Sequence, residues 1–284
     1  MTWLQALLLA VLQGVTELFP VSSLGHAIIV PDLLNWNIDQ ASDAFLPFLV
    51  VMHLGTALAL LGYFWREWWD FALAVTVRRG PDADRERRIF FRVVVATLPA
   101  VLIALALEKT IRGLFVAPVP YVPCALLIVN GVMLFAAERL KSVTAHKRLE
   151  SLTWLDAIII GTCQSLALFP GMSRSGATMA GGYLIGLNHE DSARFSFLTG
   201  TPIIFAAAVH EAPKLMHMRH AAGGHSIDLP LSLAAGGVAG VTALLSVWFL
   251  MRWFKRHEVK GFDIYAFYCI GMGALFMTIE ILFP

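Results

Sequence analysis

Apolar residues run along this chain in long blocks, with no two-residue alternation of the kind a half-buried strand shows. Six blocks approach the roughly 20 residues that a helix needs to cross a bilayer core: Phe45–Trp65, Ile89–Leu107, Val119–Ala137, Phe195–Val209, Leu229–Met251 and Phe262–Phe283. The fourth is short, and its helix is expected to begin nearer Asp191. Two further apolar regions are broken by polar residues. Trp3–Leu34 is interrupted over Glu17–His26, within QGVTELFPVSSLGH, and Trp154–Leu187 is interrupted over Pro170–Thr178, within FPGMSRSGAT. Each reads as a short helix, a Pro/Gly/Ser turn and another short helix. Irregular backbone survives at membrane depth only where it is buried in protein or lines a wet cavity. The half-helices are too short to span, so both regions are expected to be re-entrant hairpins. The predicted fold is an all-α polytopic membrane protein with six transmembrane helices and two re-entrant helical hairpins.

The distribution of positive charge tests that layout. Seven arginines fall in Arg66–Arg92, four Lys/Arg in Arg139–Arg148 and four in Arg252–Lys260. The opposite side would hold only Lys109, Arg112, Lys214 and Arg219. The first hairpin and both termini are therefore expected outside, and the second hairpin opens from the cytoplasm. The halves also resemble each other: LFPVSSLGH at Leu18 matches LFPGMSRSGAT at Leu168, and AFLPFLVV at Ala44 is similar to ARFSFLTG at Ala193. One hairpin plus three spans per half makes the second copy inverted. Residues 1–284 are then a single membrane domain built from repeats 1–148 and 149–284, with the site expected near the midplane where the breaks meet. Glycines four apart, Gly182/Gly186 and Gly236/Gly240, suit close helix packing.

Composition agrees. Hydrophobic residues make up 58% of the chain and charged ones 14%, with mean hydropathy +0.71, against about 45–50% and about 25% in soluble domains. A net charge of +1 leaves no basic face for nucleic acid. Cys124, Cys163 and Cys269 stand alone in apolar runs and read as packing thiols. The N-terminus lacks the basic region of a cleavable signal peptide.

The two breaks hold the candidate chemistry. Glu17 is costly inside a membrane and should face a partner or a wet cavity. Gln13 lies one turn before it, and the pair suits an oxygen-lined cation site. Ser22, Ser23 and His26 follow Pro20, and Gly25 eases the turn. A serine there is ordinarily a helix cap, but a helix N-terminus also binds phosphate. His26 is a candidate general acid, base or nucleophile, or Ser23 attacks with His26 as its base. Arg174 offers a fork of donors matched to phosphate oxygens. Ser173, Ser175 and Thr178 surround it with hydroxyls, and Gly171 and Gly176 allow close backbone approach. Arg174 also suits an ion pair with Glu17 across the hairpins. Elsewhere, His210, His217, His220 and His225, with Met216 and Met218, form a weaker metal candidate. Trp65, Trp68, Trp69, Trp248 and Trp253 read as interface anchors.

QGVTELFPVSSLGH and FPGMSRSGAT resemble the two signatures of the bacterial undecaprenyl-diphosphate phosphatase (bacitracin-resistance) family, (Glu/Gln)xxxE with PVSSxGH and PGxSRSGxT. The resemblance covers nearly the whole chain. It implies an inner-membrane hydrolase that converts undecaprenyl diphosphate to the monophosphate carrier of peptidoglycan and envelope synthesis, with a divalent cation, Mg2+ or Ca2+. On that resemblance Glu17 and Gln13 hold the metal or activate the attacking group, Ser23 and His26 form a nucleophile/base pair, and Arg174 clamps the diphosphate. Ser22, Gly171, Ser173, Ser175, Gly176 and Thr178 then line the phosphate site. Gln13 replaces a glutamate, and Leu24 a threonine, found in many members. The expected partners are the polyprenyl diphosphate and membrane lipids, with a homodimer as the oligomer to test and no nucleic acid. The site is expected to open to the outer, periplasmic face. A lipid-phosphate transporter built on the same inverted repeat is the alternative, because broken helices are also a transporter plan.

Overall fold

The computed structural model describes all residues except 37, 39–41, 43–44, 108–120, 141–146, 220–227, 258–259 and 283–284, and the side chains of 46 and 211–219. The described residues form eleven α-helices: α1 (Trp3–Thr16), α2 (Ser23–Leu33), α3 (Phe45–Tyr63), α4 (Trp65–Thr76), α5 (Pro81–Ala106), α6 (Tyr121–Leu140), α7 (Trp154–Gln164), α8 (Arg174–Leu184), α9 (His189–Arg219), α10 (Leu229–Arg256) and α11 (Asp263–Leu282). Short 3-10 turns occupy Leu149–Ser151 and Ser165–Leu168.

Five of these, α5, α6, α9, α10 and α11, are long and apolar enough to cross a membrane, and α3 with α4 makes a sixth. The chain is a multi-pass membrane protein. Its outward faces carry Leu102, Val241, Leu245 and Phe267, all exposed, as a lipid-facing surface requires. The expected Phe45–Trp65 span is not one straight rod: Pro47–Tyr63 and Trp65–Thr76 meet at 73°. The arginine-rich Arg66–Arg92 segment is largely helical, with α4 and the first three turns of α5 filling most of it. In α4 the buried Phe71 and Ala74 face the protein while Trp65 and Trp69 lie exposed, the arrangement of a helix lying along an interface. The helix expected to begin near Asp191 starts at His189. Residues 119–120 of the expected third span lie outside the described residues, as do Lys109 and Arg112 and the side chains of Lys214 and Arg219.

The broken regions are short, as read from the sequence. At 1.5 Å per residue, α1 and α2 reach about 21 and about 17 Å, well under a bilayer core of about 30 Å. Both α1 and α7 begin with Thr-Trp-Leu, and in each the threonine opens a capping box, Thr2 with Gln5 and Thr153 with Asp156. Each short helix lies on a long helix from the other half of the sequence: α1 on α10 and α7 on α5. Helix α3 also packs on α10, and α6 on α11.

Glycines set the tightest of these contacts. A Cβ on Gly55 of α3 would stand 2.0 Å from the Gly236 carbonyl oxygen of α10. Gly236 and Gly240 thus pack closely, as their spacing suggests. Gly186 instead takes φ +110°, so it is a left-handed turn after α8 rather than a packing residue. Ion pairs join the basic segments at one end of the molecule: Arg85 with Glu150 at 2.5 Å, Lys147 with Asp156 at 2.9 Å, and Arg139 with Asp263. The three cysteines are free thiols, two of them buried.

Candidate active site

The two breaks meet in the interior. A Cβ on Gly25 would lie 3.1 Å from Gly171 Cα, so the turns touch backbone to backbone. Gly171 itself has φ +105°, a conformation glycine adopts without strain. Each break ends in a serine that caps the next helix: Ser22 Oγ accepts from the Gly25 N–H at 3.2 Å, and Ser173 Oγ from the Gly176 N–H at 3.0 Å. Ser22 does so at φ +68°, a region that costs a non-glycine residue about 1–3 kcal/mol.

One residue of α6 stitches the breaks together. Asn130 donates from Nδ2 to the Pro20 carbonyl at 2.9 Å and accepts the Ser173 N–H on Oδ1 at 3.1 Å. Ser175 Oγ adds a bond to the Phe19 carbonyl at 3.1 Å and lies 3.1 Å from Ser173 Oγ.

Glu17 is the hub. Its Oε1 accepts from Arg174 Nη2 at 3.1 Å, and its Oε2 accepts from Ser23 Oγ at 2.6 Å and Gln13 Nε2 at 3.2 Å. His53 of α3 brings Nε2 to 3.3 Å from the same Oε2, while its Nδ1–H donates to the Leu49 carbonyl at 2.8 Å. Arg174 is held further by Nη1 donating to the Ser196 carbonyl at 3.2 Å. Gly200 leaves room for it, since a Cβ there would stand 2.3 Å from Nη1.

Of the residues singled out in the sequence, Glu17, Ser23, Ser173 and Arg174 line a common cavity of about 250 Å³. Ile203, Ile204 and Ala207 of α9 and Leu24 and Val50 give it an apolar wall. Gln13 backs Glu17 from behind. His26 is not brought to Ser23: its Nδ1–H donates to the Ser22 carbonyl at 2.7 Å and its Nε2 meets the Tyr268 hydroxyl at 2.9 Å. Thr178 donates to the Arg174 carbonyl at 2.7 Å within its own helix. His217, His220 and His225 lie outside the described residues or have side chains that do, and so do the side chains of Met216 and Met218. Among the described residues no three His, Cys, Asp or Glu gather as a metal cluster.

His53, Asn130, Gln164 and Gly200 were not singled out in the sequence. All but Gly200 had a faint signal. His53, Asn130 and Gln164 are isolated polar residues in apolar runs, and Gln164 follows Thr153 at the distance by which Gln13 follows Thr2.

As a cation site, the cluster offers the Glu17 carboxylate and the Gln13 Oε1, a buried acceptor without a partner among the described residues. Two protein oxygens suit a cation that completes its shell with water and substrate phosphate.

Residues 6–275 match the family described as bacitracin resistance protein BacA. The chain is 51% identical to a protein of Acidiphilium cryptum named undecaprenyl-diphosphatase, over 97% of both chains. It is 48% identical to one of the same name from Granulibacter bethesdensis, over 97% of this chain and 96% of the relative. It is 46% identical to undecaprenyl-diphosphatase 2 of Chromobacterium violaceum, over 97% and 98%.

Proposed function

The chain belongs to the bacitracin resistance protein BacA family, and from that premise we propose that it is a membrane phosphatase that hydrolyses undecaprenyl diphosphate to undecaprenyl phosphate and inorganic phosphate. The names of its relatives favour this over lipid transport. One observation carries the assignment of residues: the Ser23 hydroxyl, the Glu17 carboxylate and the Arg174 guanidinium share one hydrogen-bonded cluster on one cavity wall.

In this reading the diphosphate enters the polar end of the cavity and the isoprenyl chain leaves along the apolar wall. Arg174 binds the phosphoryl oxygens, drawing on donors it otherwise gives to Glu17 and Ser196. The helix N-termini at Ser23 and Arg174 add backbone N–H groups. Ser23 Oγ attacks the terminal phosphorus as its proton passes to Glu17. The bond from that phosphorus to the bridging oxygen breaks, and the lipid monophosphate departs with the electron pair. Water then attacks the phosphoserine phosphorus, the bond from that phosphorus to Ser23 Oγ breaks, and Ser23 takes back the proton held by Glu17. The proton lost by water passes through the freed carboxylate to solvent as inorganic phosphate leaves. The charge accumulating on the transferred group is the main barrier, and fixed positive charge is the main remedy. Glu17 and Gln13 would hold a divalent cation, Mg2+ or Ca2+, which supplies further charge neutralisation when bound.

The repeats 1–148 and 149–284, the inner-membrane location, an outer-face opening and a homodimeric assembly belong to the same proposal. The matching Thr-Trp-Leu caps and the crossed packing of α1 and α7 support the repeats. The count of basic residues supports the orientation. Purified protein in detergent, given undecaprenyl or farnesyl diphosphate, is expected to release phosphate, and Arg174→Ala to release far less. Wild type and Arg174→Ala releasing phosphate at equal rates would overturn the reading.

A further inference from the structure

Gln164 ends α7 and is 1% exposed. It lines the cavity that holds Glu17, Ser23 and Arg174. Neither its Nε2 nor its Oε1 has a hydrogen-bond partner among the described residues. Among the described residues the fold makes no use of this side-chain amide. The 3-10 turn that follows has no side-chain cap, and the neighbouring Ser165 hydroxyl bonds the Gly161 carbonyl. Burying both ends of an amide unpaired is costly, whereas a thioether or alkyl chain of similar length would sit there at no such cost.

Gln13 shows what differs. It stands as far beyond Thr2 as Gln164 stands beyond Thr153, and its Nε2 has Glu17 one turn ahead. One turn ahead of Gln164 is Leu168, which accepts nothing through its side chain. With no partner among the described residues, the cavity it lines is the place from which a partner can come, and for Nε2 that partner must accept a hydrogen bond from a neutral N–H donor. The isoprenyl chain has no such atom, and the diphosphate has several.

We propose that Gln164 is a further substrate-binding residue whose Nε2 donates to a non-bridging oxygen of the diphosphate that Arg174 holds. Its Oε1 accepts from the water that hydrates that group. The inference rests on the phosphatase reading, and it adds the half-site that the second break contributes beyond its arginine.

Gln164→Met and Gln164→Glu test it in purified full-length protein in detergent, with initial rates measured over a range of farnesyl diphosphate concentrations and thermal unfolding followed in parallel. Methionine keeps the length and drops both hydrogen-bonding atoms. It is expected to melt at or above the wild-type temperature and to lower kcat/KM by about 10–100-fold, the size of one hydrogen bond to a charged group. The loss should fall mainly on KM. Glutamate keeps the shape and places an anion against an anion, so its loss should be larger. Either folded variant keeping kcat/KM within about twofold of wild type overturns the proposal. So does a Gln164→Met protein that melts clearly lower, because the amide would then serve the fold. A wild type that releases no phosphate would instead sink the phosphatase reading on which this one stands.

Discussion

Ser23 and His26 stand three residues apart, yet they serve different neighbours. Ser23 Oγ lies on Glu17 at 2.6 Å, and the His26 ring is fixed between the Ser22 carbonyl and the Tyr268 hydroxyl. Spacing placed both in the break but could not say which acceptor each would meet, because Tyr268 comes from the far end of the chain. Ser23→Ala is expected to lower kcat by at least about a hundredfold, and His26→Gln by less. Acid-quenched protein should carry phosphate on Ser23, and a phosphohistidine at His26 would move the attack to the ring. Arg174 was legible as a lone arginine among serines. Its socket was not, since Gly200 is one glycine in an apolar run until the guanidinium is seen against it. Gly200→Val should displace Arg174 and cut phosphate release by about tenfold or more, and unchanged kinetics would show that the guanidinium has other room.

At the scale of elements, the breaks were legible because a proline, glycines and serines in an apolar run leave few other readings. Their registration against each other was not. Beside the direct bonds from Ser175 to Phe19 and from Arg174 to Glu17, it draws on Asn130, a residue of α6 that bonds Pro20 of one break and Ser173 of the other. Asn130→Leu would strand the buried Ser173 N–H and leave the Pro20 carbonyl only the weak Cys269 thiol donor at 3.7 Å. At about 1–3 kcal/mol for a stranded group, it should lower the unfolding temperature in detergent and depress activity with it. Asn130→Asp keeps the acceptor for Ser173 and loses the donor to Pro20, so it should fall between. Equal stability of all three proteins would show that the breaks register without this residue. The bend after Tyr63 also escaped the sequence, because hydropathy sums apolar residues without direction. The amphipathic turn of α4, with Phe71 buried and Trp69 exposed, is what directs it along the surface.

For the whole molecule, length and composition were enough to give a multi-pass helical protein, but the crossed packing was not visible. It arises where α1 rests on α10 and α7 on α5, contacts between residues far apart in sequence. Gly55→Leu would force α3 away from the Gly236 carbonyl and should weaken the bundle as a whole, read as loss of monodisperse protein in detergent. If the basic segments face the cytoplasm, as proposed, a cysteine at Arg79, in a cysteine-free background, should be labelled by impermeant reagents only from that side. Removing divalent cations with a chelator should suppress phosphate release, and Mg2+ or Ca2+ should restore it.

The resting contact between Arg174 and Glu17 has a consequence for life among phospholipids. Every surrounding headgroup offers a phosphodiester, so a bare guanidinium would be fouled by its own solvent. Here the arginine already has a tethered anion, and a lipid bearing one negative charge would merely trade like for like after losing its hydration. A diphosphate brings more charge and more oxygens than the carboxylate it displaces. On the phosphatase reading, the internal carboxylate is expected to set a threshold that a singly charged lipid does not cross.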